Sequence, residues 1–170
     1  MDIRLSAAAA GERPTLEALF ELYAYDFSEI LGFDVADDGR FQLPSLDPYW
    51  TDPRNHAFLI RADGKLAGFA LVQGRSRLTG DEAVHDMAEF FVMRKYRRHG
   101  VGRQAAEFLF NRFRGRWEVR QKAENRAATA FWQRAIGEYT GGRFEDIVLD
   151  DERWRGPVQR FDSGEGGRPR

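Results

Sequence analysis

The sequence predicts one mixed α/β domain, and three observations carry that prediction. Apolar residues recur at spacings of three and four along three separate stretches, the mark of helices buried on one face. Between them lie short apolar or alternating runs, two of which flank Asp63-Gly64, a dipeptide that favours a tight hairpin turn. A strand, a helix and another strand then follow over residues 85–121, an order that makes the two strands parallel through a right-handed crossover. At 170 residues and 42% apolar content the chain holds one sizeable core. Residues 1–162 are expected to form a single domain, with residues 163–170 as a flexible Gly-rich tail.

Residues 3–8 suit a first strand. Pro14 then fits the first turn of a helix whose Leu16, Leu19, Phe20, Tyr23, Phe27 and Ile30 share one face. Residues 32–55 hold Pro44, Pro48 and Pro53 among many Gly and Asp, so they read as a long connection bearing Phe41, Tyr49 and Trp50. A loop of that length in a compact domain is usually functional or disordered. The hairpin strands fall at residues 56–61 and 66–73, and residues 74–80 form a polar link. A strand at about residues 85–93 feeds a turn and then a helix reaching about Arg114, with Val101, Ala105, Phe108, Leu109 and Phe113 inward and Gly115 as its stop. Trp117 and Val119 alternate with Glu118 and Arg120 in a short strand. Asn125 can cap the next helix, whose Ala128, Phe131, Trp132, Ala135 and Ile136 share a face and which Gly137 is expected to close. Residues 144–149 and 157–161 read as two last strands.

Composition excludes several classes of function. The chain has no cysteine, which removes disulfides, thiolate metal sites and a cysteine nucleophile. His56, His85 and His99 lack ligand-like spacing, so no metal site is expected. No apolar run is long enough for a bilayer, and Asp2 and Arg4 interrupt the stretch where a signal peptide needs its apolar core. A cytoplasmic protein without a membrane partner is expected. Net charge is −1, yet the charges are separated: residues 94–122 carry ten Arg or Lys against Glu107 and Glu118, and residues 12–52 carry ten acids against Arg13 and Arg40. Such blocks are either solvated faces or sites for oppositely charged ligands.

The basic block contains the segment with the most definite chemistry, Arg97-Arg98-His99-Gly100-Val101-Gly102-Arg103. A strand that turns there into a helix presents several unpaired backbone N–H groups at one point, and the helix dipole adds partial positive charge. Gly100 and Gly102 allow positive φ and close approach to a ligand, while Arg97, Arg98 and Arg103 add full charges. Each contribution is worth about 0.3–1 kcal/mol, so the arrangement suits a pyrophosphate that engages many donors at once. The alternative is an ordinary turn beneath a solvated basic patch. Neither a phosphate-binding P-loop nor the three-glycine dinucleotide fingerprint is present: nothing around Gly64-Lys65 completes the first, and Ala106-Glu107 stand where the second needs glycine.

What stands here is Arg97-x-x-Gly100-x-Gly102 after a strand containing Val92, with Asn125-x-x-Ala128-x-x-Phe131-Trp132 one crossover later. This pattern, with the order of elements over nearly the whole chain, resembles the GNAT superfamily of N-acetyltransferases. The resemblance implies a mostly antiparallel central sheet of about seven strands with flanking helices and a splayed parallel pair in its middle. It implies acetyl-CoA as cosubstrate and acetyl transfer to a primary amine by direct attack. Backbone groups near Phe91 and Val92 would pair with the pantetheine arm, and N–H groups from Arg98 through His99, Gly100, Val101 and Gly102 to Arg103 would cradle the pyrophosphate. Asn125 would contact the arm and Phe131 would pack beside it. On this reading Gly102→Trp abolishes cofactor binding and leaves the fold intact.

Acetylating an amine requires its neutral form, so a base must take a proton from the ammonium that dominates at pH 7. Glu89, three residues before Val92, stands where many relatives keep a carboxylate, and partial burial beside Phe90 and Phe91 would raise its pKa. The alternative is a Glu at a strand bulge that only hydrogen-bonds backbone; His85 and Asp86 are further candidates. In many relatives a tyrosine seven residues after the Asn protonates the departing thiolate. Here that position is Trp132, a departure from the family pattern, which leaves Tyr139 and Tyr25 as substitutes.

The acidic block, placed where the family lines its acceptor side, suggests a cationic acceptor, polyamine-like, aminoglycoside-like or lysine-bearing. Tyr23, Tyr25, Phe27, Tyr49 and Trp50 would supply walls or cation–π contacts, although Tyr23 and Phe27 also fall on the buried stripe. Two rival readings stand beside this one. A non-catalytic CoA-binding module is favoured by Trp132. Nucleic-acid binding through the basic block is opposed by the apolar face of that helix and the slightly negative net charge, so no nucleic-acid partner is expected. The chain is expected as a monomer or homodimer.

Overall fold

The apolar and alternating runs pair into one sheet. Its strands are β1 (Ile3–Ala7), β2 (Asn55–Ala62), β3 (Lys65–Gln73), β4 (Val84–Val92), β5 (Arg116–Arg120), β6 (Glu145–Asp150) and β7 (Arg155–Asp162). The computed structural model describes residues 1–164, and the strand order within it is β1-β2-β3-β4-β5-β7-β6. Every neighbouring pair is antiparallel except β4 with β5. The mixed, mostly antiparallel seven-stranded sheet with a parallel pair at its centre is therefore as expected.

Four helices join the strands: α1 (Arg13–Leu31), α2 (Pro48–Thr51), α3 (Val101–Arg112) and α4 (Arg126–Thr140). Because side chains alternate across a strand, β2 and β3 feed two cores. Leu59, Phe69 and Leu71 pack with Leu16, Leu19 and Phe20 of α1, while Phe58, Ala70 and Val72 pack with Leu109 and Phe110 of α3 and Ile136 of α4. So α1 covers one face, and α3 and α4 cover the other.

Several boundaries differ from the sequence reading, each for a physical reason. α4 runs through Gly137 and stops at Gly141, which adopts φ 63°; a glycine ends a helix where it turns left-handed, and Gly137 does not. On α3 the buried residues are Val101, Ala105, Ala106, Leu109 and Phe110, while Phe108 is 40% exposed. Ile30 lies beyond the end of the sheet-facing stripe of α1 and is exposed. The connection over residues 32–55 contains the single turn of α2. Ser163, assigned to the tail, is fully buried and exchanges hydrogen bonds with Gly115, so the ordered domain includes it; residues 165–170 lie outside the described residues.

Two irregularities in β4 position the site. Glu89 lies opposite Leu71 but Met87 opposite Val72, so Ala88 is an extra residue, a bulge that re-aims the remainder of the strand. The parallel ladder also covers only Val84–Met87 against residues 116–119. Past the bulge β4 and β5 part company.

Candidate active site

The parting of β4 from β5 leaves one backbone edge open, and the ladder on the other side of β4 shows which groups it exposes. Met93 N–H donates to Ala67 C=O at 2.8 Å, and the alternation of an antiparallel pair then directs the backbone of Phe91 and Glu89 to β3 and that of Phe90 and Val92 into the gap. The expectation for Phe91 is corrected accordingly: its backbone is paired within the sheet, and its ring packs between Phe69 and Tyr23 at 5.8 and 5.7 Å. Val92 C=O, in the gap, accepts from Arg97 Nε at 2.7 Å.

Arg97 is thus committed to the fold. It also pairs with Asp26 of α1, as does Arg94, so it ties the loop to both β4 and the opposite face. Beyond it Arg98 takes φ 63° and Gly100 φ 78°, an arrangement that curls backbone N–H groups into a concavity. Gly100 is the N-cap of α3 and offers no side chain, so no side chain caps the first turn, in which Val101, Gly102 and Arg103 lie. His99 turns its ring back to Arg97 C=O at 2.7 Å. Arg103 pairs with Glu107 at 3.2 Å, while Arg98 is exposed and makes no ion pair among the described residues. Gly102 differs from expectation. It is an ordinary helical residue, and a Cβ there would lie 3.1 Å from the Phe131 ring. Its smallness lets α3 approach Phe131, so Gly102→Trp would disturb packing as well as any ligand.

Around Glu89 lies a cleft of about 360 Å³. Glu89 is half-buried, and its carboxylate accepts from Tyr23 Oη at 2.6 Å. Burial pushes its pKa up; the Tyr23 hydrogen bond and the charges of Arg77 and Arg120 pull it back in part. Tyr23 itself is raised well above 10, first by burial and then by the facing carboxylate. Tyr49, within electrostatic range of Glu89, is pushed up to about 12, chiefly by burial. Asp86 is fully buried and not on the cleft wall; Arg120 donates to it with two nitrogens at 3.2 and 3.3 Å.

The remaining sequence-derived residues divide. Asn125 and Trp132 line the cleft. Asn125 Oδ1 accepts from Ala128 N–H at 3.1 Å, so it caps α4 from the cleft wall. Phe131 stacks near Phe90 at 6.0 Å, behind that wall. Tyr139 is not brought to the site: its hydroxyl donates to Asn111 at 2.9 Å, about 15 Å along the α3 axis from Val101. Tyr25 is exposed and His85 reaches Arg114 C=O at 3.4 Å, both away from the lining.

Other features escaped the sequence. Arg77, Lys122 and Trp154 line the cleft, and none stands in a motif. Gln121 is also a lining residue, and its Oε1 is buried with no hydrogen-bond partner among the described residues. The pairing of Tyr23 with Glu89 spans 66 positions, beyond any local signal. The basic block is partly neutralised within the fold, since Arg94, Arg97, Arg103, Arg116 and Arg120 all sit in ion pairs. Among the described residues no helix is long and apolar enough to cross a membrane, and no cluster of His, Asp or Glu forms a metal-binding group.

Known proteins share this frame. Solved structures of similar shape include an acetyltransferase from Thermus thermophilus, 19% identical with TM-score 0.69, covering 95% of this chain and 97% of that one. The spermidine N-acetyltransferase of Vibrio cholerae, solved with CoA and spermine, is 10% identical with TM-score 0.64 and covers 96% of each chain. The ribosomal-protein-S18-alanine N-acetyltransferase of Escherichia coli is 17% identical with TM-score 0.57, covering 98% of this chain and 97% of that one. No curated protein is similar enough in sequence to match. At these identities the structures establish the fold alone. The model of the acetyltransferase (GNAT) family, however, matches residues 16–137, a span that contains the opened parallel pair, Glu89 and the loop at the mouth of α3. Sequence and shape agree over the part of the molecule that bears the site, and the chain belongs to the acetyltransferase (GNAT) family.

Proposed function

We propose that the protein transfers an acetyl group from acetyl-CoA to a primary amine that arrives as an ammonium cation, by direct attack, with Glu89 as general base. The observation that carries this reading is Glu89 itself: a half-buried carboxylate, raised in pKa, beside the open edge of β4 and accessible from the cleft. Acetyl-CoA fits the residues present. The uncapped first turn of α3 with Arg98 suits its pyrophosphate, and the Val92 N–H suits a pantetheine amide carbonyl. The Arg103–Glu107 pair is of the surface kind, worth under about 1 kcal/mol, and yields readily to a phosphate.

The thioester supplies an activated acetyl carbonyl, and the remaining requirements fall on the chain. Glu89 takes the proton from the ammonium, and burial makes it the stronger base. Tyr23 holds the carboxylate in one orientation from the α1 side. Phe90 N–H, directed into the gap, is a backbone donor for negative charge growing on the carbonyl oxygen. A thiol of pKa about 8.5 departs as thiolate with little assistance, so Trp132 in place of a tyrosine removes an aid rather than a necessity.

The test is calorimetry of the full chain with CoA, together with release of free thiol from acetyl-CoA over a panel of amines. Heat with CoA and thiol release on at least one amine support the proposal. Binding without release on every amine supports the non-catalytic module, and no heat with CoA removes both.

A further inference from the structure

We infer that the acceptor is a zwitterion, a free amino acid with an aliphatic or aromatic side chain, whose ammonium meets Glu89 and whose carboxylate is held by Arg77. The inference rests on the acetyl-transfer reading for its site and goes further by fixing the charge and polarity of what enters it.

The acidic block does not line the cleft. None of its carboxylates is among the lining residues, and several are engaged elsewhere: Glu17 and Asp47 on Arg13, Asp26 on Arg94 and Arg97, Asp52 on Arg54, and Glu21 on the Phe41 N–H. Among the lining residues Glu89 is the one acid, against Arg77, Arg120 and Lys122. Arg120 is committed to buried Asp86 and stacks on Trp154 at 4.5 Å. Lys122 lies over the same ring at 4.4 Å from its centroid. Arg77 is exposed and makes no ion pair among the described residues, although its charge is felt at Glu89, Asp86 and Tyr49.

With Glu89 ionised and Arg120 balanced by Asp86, the cleft keeps positive charge in excess. A polyamine would set a second cation against Arg77 and Lys122. A peptide N-terminus would bring its ammonium but only a neutral amide beside it. An amino acid brings one charge for Glu89 and one for Arg77, whose planar fork matches a carboxylate. The rest of the lining specifies the side chain. Phe27, Leu31, Phe33 and Leu43 form an apolar wall, on which Leu31 and Phe33 remain 36% and 39% exposed, surface that an aliphatic or aromatic group would cover.

The experiment compares leucine, phenylalanine and tryptophan, each with its decarboxylated amine and its carboxamide, by calorimetry on the full chain with and without saturating CoA. Losing a hydrogen-bonded charge pair costs about tenfold or more in affinity, so at least one amino acid is expected to bind about tenfold tighter than both analogues. Arg77→Ala should abolish that preference and Arg77→Lys should keep part of it; retained heat with CoA shows that each variant is folded. An amine or carboxamide that binds as well as its amino acid overturns the inference, as does a preference that survives Arg77→Ala. Absence of thiol release from acetyl-CoA would count against acetyl transfer alone, because the binding comparison needs no turnover.

Discussion

The two walls of the proposed site are made of different material. The wall proposed for CoA is backbone from one contiguous stretch, Val92 to Arg103, shaped by two residues at positive φ and the start of a helix. The other is the lining of the cleft around Glu89, side chains gathered from Phe20 to Trp154, including Tyr23 on α1, Glu89 at a bulge and Arg77 on a loop. A backbone site tolerates exchange of most of its side chains and demands only particular conformations. A side-chain site can be rebuilt residue by residue without touching the frame, so it is the wall on which acceptor specificity is free to vary.

Removing the proposed base is expected to have the largest effect and to fall on the chemistry alone. Glu89→Gln should lower kcat at pH 7 by about 10²–10⁴, read at saturating acetyl-CoA. The deficit should narrow as pH rises toward the pKa of the amine, because neutral amine then forms without help. A loss of the same size at every pH would show that Glu89 supports structure rather than proton transfer.

Next in size is a change to the strand both walls share. A Cβ at Gly68 would lie 1.9 Å from Phe91 C=O, a backbone atom that cannot swing away, so Gly68→Ala must push β3 from β4. A cost of about 1–3 kcal/mol is expected, measured by denaturant unfolding. Since β4 carries both Glu89 and the open edge at Val92, affinity for CoA and turnover should decline together. Decline of one without the other would mean the walls are less dependent on β4 than its geometry implies.

The same difference of material explains what the sequence disclosed. Gly100 and the helix start at Val101 are local features, and chain order alone placed them at the end of a strand beside a crossover. Asn125 was legible for the same reason, as the cap of α4. The pairing of Phe91 was not legible, because the direction of a backbone N–H depends on ladder register, which the bulge at Ala88 and the pairing with β3 decide. The packing role of Gly102 was hidden because its neighbour in space, Phe131, comes from another helix. The acidic block was legible only in part: its charge was visible, but the arginine partners of Asp26 and Asp47 were not. Arg77 and Trp154 carried no signal at all.

A smaller effect is expected at Tyr23. Its hydroxyl stabilises ionised Glu89 against the upward push of burial, so Tyr23→Phe should raise the pKa of Glu89 further. The base works only when ionised. The acidic limb of the kcat/KM profile should therefore move to higher pH, with the rate at high pH affected least. A limb that stays in place would show that Tyr23 positions nothing and serves α1 packing only.

The smallest effect is expected where the walls are fastened together. Asp26 on α1 accepts from Arg94 at 2.8 Å and also pairs with Arg97, whose Nε donates to Val92 C=O; this carboxylate links α1 to the loop proposed for CoA. Asp26 is mostly buried, but Arg94 and Arg97 are about half in water or more, so solvent and salt screen the pairs. Asp26→Asn should cost no more than about 1 kcal/mol, and the difference should shrink in high salt. Its use lies in what moves with it. Arg97 freed from α1 still has Val92 C=O, so KM for acetyl-CoA should rise modestly while the amine KM stays nearly constant. An equal rise in both would mean that α1 and the loop shift as one body, and that the two walls, though built separately, are not adjusted separately.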